Sequence, residues 1–69
     1  MDKTLRHDPY NKLEGFKSEN HITNYDIAKT LNITEAAVIK KNNGKSDYFL
    51  SEVKKLIETY NMPVHIFLP

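Results

Sequence analysis

Apolar residues along the chain fall into four stretches with helical spacing. In the first, Tyr10, Leu13 and Phe16 recur every third residue on one face, with Lys12, Glu14, Lys17 and Glu19 turned outward. Asp8 followed by Pro9 marks its start. The carboxylate accepts from the free N–H groups of the first turn, and proline at the first helical position lacks only a donor that would be orphaned anyway. Asn20 and His21 end it. Thr23 caps a second helix over 24–31, whose Ile27, Ala28 and Leu31 form a stripe to bury. Asn32 then turns the chain, because Asn enters the left-handed conformation most readily among residues with a side chain. Thr34 caps a third helix running to about Asn42, with Glu35 at the positive end of its dipole and Gly44 as the stop.

Ser46, Asp47, Tyr48 and Phe49 make a loop. Leu50, Val53, Leu56, Ile57 and Tyr60 then define a fourth amphipathic helix, with Lys54, Lys55 and Glu58 on its wet side and Asn61 as a left-handed end. From Met62 to Pro69 two periods compete. Pro63 can open a fifth helix, whereas Val64, Ile66 and Leu68 alternate like a strand; a short helix closing the core is favoured. Residues 1–7 show no helical period and read as a flexible arm. The expectation is an all-α fold, a compact bundle of four to five short helices over 8–69.

Composition narrows what such a bundle does. A chain of 69 residues is one small domain, burying only about 60% of the surface its unfolded form exposes. With no cysteine it has neither disulfides nor thiolate metal sites, so an apolar core or association must stabilise it. The 39% of hydrophobic residues supplies such a core. A net charge of +1 excludes a polybasic arm or an acidic tail. No apolar run approaches the ~18 residues of a membrane span, and the first eight residues lack a signal peptide's apolar stretch. A cytoplasmic protein is expected. His7, His21 and His65 have no ligand spacing, and no Ser, His and Asp arrangement fits a chain with so little room for a cleft. Neither metal, cofactor, small-molecule substrate nor catalysis is expected.

Three residues carry more. Ala28 within the second helix, Asn32 in the turn and Val38 in the third helix meet the needs of a helix-turn-helix: a small residue for close approach, a positive φ, and a branched group to pin the helices. On these, on Ile22-Thr23-Asn24, Ile27 to Thr34, Asn43-Gly44-Lys45, Leu50 to Leu56, and Met62-Pro63-Val64 to Phe67-Leu68, the chain resembles the phage Cro and repressor type of helix-turn-helix regulator. This xenobiotic-response-element-like family has the lambda-repressor-like DNA-binding fold, and the likeness covers residues 10–68. It implies a transcription regulator of a lysis and lysogeny switch. Asn24 would touch a phosphate, Thr34, Glu35, Ala36, Ala37, Ile39 and Lys40 would face base edges, and Lys41, Asn43 and Lys45 would flank them.

The chemistry on that reading face suits DNA poorly. Base readers present Arg, Lys, Asn or Gln in bidentate geometry, and here Lys40 is the strong donor beside two alanines and a carboxylate. Residues 23–39 carry −1 and residues 40–55 carry +3, so the lysines gather beside the third helix rather than along its leading turn. Two departures from the family pattern point the same way. Lys41 and Asn42 stand where an aliphatic residue is usually buried, and Ile39 stands where a polar residue is usually exposed. Phe49, next to Tyr48, replaces the Ser or Thr cap of the fourth helix. Ala36, Ile39, Tyr48 and Phe49 rimmed by lysines have the composition of a protein interface. The expected function is therefore an antirepressor that binds the N-terminal DNA-binding domain of a partner repressor through the third helix and the next loop. The alternative is a Cro-like repressor on operator double-stranded DNA.

Overall fold

A computed structural model describes residues 10–67, and over them the chain is all-α. Four α-helices follow in order: α1 (Asn11–Glu19), α2 (Asn24–Leu31), α3 (Glu35–Asn42) and α4 (Leu50–Tyr60); a single 3₁₀ turn, Val64–Phe67, comes last. Two starts are capped as their sequences dictate. The Thr23 hydroxyl accepts from the Asp26 amide at 3.1 Å while the Asp26 carboxylate accepts from the Thr23 amide at 2.9 Å. The bond from the Thr23 amide foremost, with the Thr23 hydroxyl after it, holds the Asp26 carboxyl below the usual carboxylate range. At α3 the Thr34 hydroxyl accepts from the Ala37 amide at 3.1 Å.

All four helices stop by one device. A residue with positive φ (His21, Asn32, Gly44 and Asn61) breaks the spiral after each. The next amide then reaches back to the last turn, Ile22 to the Lys17 carbonyl, Ile33 to Ala28, Lys45 to Lys40 and Met62 to Ile57. Ile22, Ile33 and Met62 also turn their side chains toward the core, whereas Lys45 stays outside.

The core gathers Leu13, Ile27, Ala28, Val38, Leu56, Met62 and Ile66, with Tyr48 against them. α2 packs on both α3 and α4, and the 3₁₀ turn packs on α1. Beside this core Tyr10, Tyr48 and Phe67 form an aromatic triangle with ring centroids 5.6–5.9 Å apart. Tyr60 ties α4 to α2, its hydroxyl 2.8 Å from that of Thr30 and donating to the Asp26 carbonyl.

Four expectations are corrected or refined. Tyr10, expected within the first helix, stands just before α1, because its amide is drawn off to the Asn42 carbonyl at 3.0 Å and it keeps non-helical angles. Lys17, expected on the wet side of α1, is 6% exposed, because oxygens of Glu14 and Asn24 meet its ammonium. Leu50, expected in the apolar stripe of α4, is 77% exposed: Val53 and Ile57 already sit at the edge of the core, and Leu50 lies a turn before them. Within the ambiguous tail, Val64–Phe67 is one 3₁₀ turn that buries Ile66 and leaves Val64 outside. The expected arm at 1–7, the Asp8–Pro9 helix start and Leu68 lie outside the described residues.

Candidate functional site

α3 divides cleanly. Val38, Lys41 and Asn42 are buried, and Ala36, Ile39, Lys40 and Asn43 point away from them on the opposite face. Ile39 is 44% exposed, Glu35 flanks this face, and Ala37 is half-buried. Thr34 is exposed with its hydroxyl committed to capping. Lys45 follows the helix and is exposed as well. The structure therefore brings Ala36, Ile39, Lys40 and Asn43 to one side of α3.

It takes Lys41 and Tyr48 out of that group. Lys41 is 7% exposed; its Nζ donates to the Asp47 carbonyl at 2.8 Å and lies 3.2 Å from a Glu52 carboxylate oxygen. A lysine so held has no ammonium to offer a phosphate. Tyr48 is buried with its hydroxyl donating to the Asn42 carboxamide oxygen. Asn24, expected on a phosphate, is half-buried, and its carboxamide oxygen accepts from both Lys17 and Asn42. Lys17 also pairs with Glu14 at 3.3 Å.

These contacts make one polar seam where α1, α2, α3 and the start of α4 meet. Two buried ammonium groups each have a carboxylate and a further oxygen, and among the described residues no buried side-chain polar atom lacks a partner. The seam explains why α3 can carry Lys41 and Asn42 in its last turn. Its partner carboxylate was readable after the fact: Glu52 stands three residues after Phe49, the spacing of a capping box, and accepts the Phe49 amide at 2.8 Å. Sequence reasoning missed that Glu52 serves both groups. It also missed Leu50 and Tyr25, both exposed, the latter with the Lys29 ammonium 5.4 Å from its ring centre.

Burial, together with the Asp47 carboxylate that accepts its hydroxyl at 3.0 Å, pushes the Tyr10 phenol from 10.0 up to about 12. Burial, with the negative charge of Glu52 and Glu14, pushes Tyr48 up as well. A folded phenol that holds its proton longer than the unfolded one stabilises the fold fully below pH 10.0, and that contribution is lost as pH rises through about 12. The urea midpoint is therefore expected to fall from pH 10 upward, and less steeply in Tyr10→Phe; equal slopes in the two proteins would contradict it.

Among the described residues no helix is long and apolar enough to cross a membrane, and no group of three or more His, Asp or Glu side chains is placed to hold a metal ion. No protein-family model, curated protein or solved structure matches the chain.

Proposed function

We propose that the chain is a helix-turn-helix regulator of a phage lysis and lysogeny switch acting as an antirepressor. In this reading α3 and the loop after it bind the DNA-binding domain of a partner repressor and block its access to DNA. The left-handed Asn32 between α2 and α3, with Ala28 and Val38 buried on either side of the turn, supports the helix-turn-helix reading. One observation carries the choice of partner: Ile39 stands exposed on the outward face of α3 while Lys41 is turned in and paired. An isoleucine there gains free energy against an apolar partner surface and has nothing to donate to a base edge.

The exposed Lys40, Asn43 and Lys45 favour a second reading, a Cro-like operator binder. Its grip would be slight. Two lysines on phosphates give a salt slope of only about −1.8, against the 6–10 contacts of firm DNA binders.

A gel shift with operator DNA, with and without the purified repressor, separates the two. Antirepression predicts that the chain abolishes the repressor's shift and makes none of its own at physiological salt. Ile39→Asp is expected to weaken repressor binding about 10-fold or more without unfolding the domain. A specific operator shift by the isolated chain would favour the second reading instead.

A further inference from the structure

The most exposed pair of large apolar side chains among the described residues lies at the start of α4 rather than on α3. Phe49 is 68% exposed and its neighbour Leu50 is 77% exposed. Phe49 is nonetheless held. Its amide donates to Glu52, and the Lys41 ammonium lies 4.6 Å from its ring centre. That ammonium is itself fixed by the Asp47 carbonyl and the Glu52 carboxylate. A buried, immobilised cation thus sits beneath an exposed ring, so part of the ordering cost of binding is met in the free protein.

The surrounding charge states what kind of surface fits. Lys41 and Glu52 cancel within the seam, so the excess of +3 over residues 40–55 belongs entirely to Lys40, Lys45, Lys54 and Lys55 set against Asp47. Of these, Lys54 lies one turn beyond Leu50 along α4 and is exposed like it. The geometry points to Phe49 and Leu50 as the anchor of the protein interface, seated in an apolar pocket with an acidic rim, and to Lys41 as the residue that positions Phe49. This inference rests on the antirepressor reading and deepens it by giving the chemistry of the partner surface. Duplex DNA is a poor occupant, because its phosphates meet the lysines but offer no apolar pocket to the pair.

Calorimetry and dissociation rates against the purified DNA-binding domain of the partner repressor test it, with operator duplex as the second probe. Leu50→Asp is expected to lose about 30-fold or more in affinity with its melting curve unchanged. Phe49→Ala is expected to weaken binding too. Lys41→Met, measured where it is folded, should speed dissociation in the wild-type background and add nothing to Phe49→Ala, whereas a merely structural lysine would add its loss in both. If Ile39→Asp loses affinity while Leu50→Asp and Phe49→Ala bind like wild type, the anchor is on α3 and the inference falls with the antirepressor reading intact. No binding by the wild-type chain overturns both, and losses seen only on operator duplex overturn the protein occupant.

Discussion

Glu52→Ala is expected to destabilise the domain by about 3–5 kcal/mol, because it leaves the Lys41 ammonium buried without its carboxylate, with the Asp47 carbonyl as its hydrogen-bond acceptor. It also removes the acceptor of the Phe49 amide at the start of α4. For a chain of 69 residues, total stability is on the order of 3–10 kcal/mol, so the loss is a large share of the whole. Replacing both members together, Lys41→Leu with Glu52→Leu, is expected to recover most of it. Two apolar side chains need no partner, while the Asp47 carbonyl, on an exposed residue, can turn to water. Urea unfolding followed by helical circular dichroism measures both. A single variant that unfolds at the wild-type urea concentration would show that the pair bears no stability, and a double variant no better than the single would show that the pair is needed as such.

The second large effect comes from one substitution made at two leucines of the same helix. Leu56→Ala removes a fully buried side chain from the junction of the helices and is expected to cost about 2–5 kcal/mol. Leu50→Ala removes an exposed side chain and is expected to stay within about 0.5 kcal/mol. Thermal melts of the two variants side by side check it. A comparable fall in both would mean that Leu50 is covered in solution, which would also undo its role as an anchor.

That contrast shows where pattern reading holds and where it stops. The bounds of α2, α3 and α4 were legible because their caps and stops are local chemistry: Thr23, Thr34, Asn32, Gly44 and Asn61 act on amides and carbonyls of their own turns. The burial of Leu50 was misread because spacing gives the direction of a side chain on its helix and not how far the neighbouring elements extend over it. Lys17 and Lys41 were misread for a related reason. A lysine goes inside only when oxygens from other segments meet it, and those come from Asn24 seven residues away for one and from Glu52 eleven away for the other. The outward face of α3 was therefore legible at Ala36, Ile39 and Lys40, and illegible at Lys41 and Tyr48, whose positions depend on that seam.

The helix stops have one more consequence. Because every helix is ended by its own left-handed residue and the amide that follows, its stop is set at its terminus and its rotation by the side chains it buries, neither by its outer surface. Residues at 36, 39, 40 and 43 can be exchanged while the backbone that displays them stays in register. If α3 binds a partner as proposed, such a frame would let recognition diverge by surface substitution alone, a change of partner needing no change of fold.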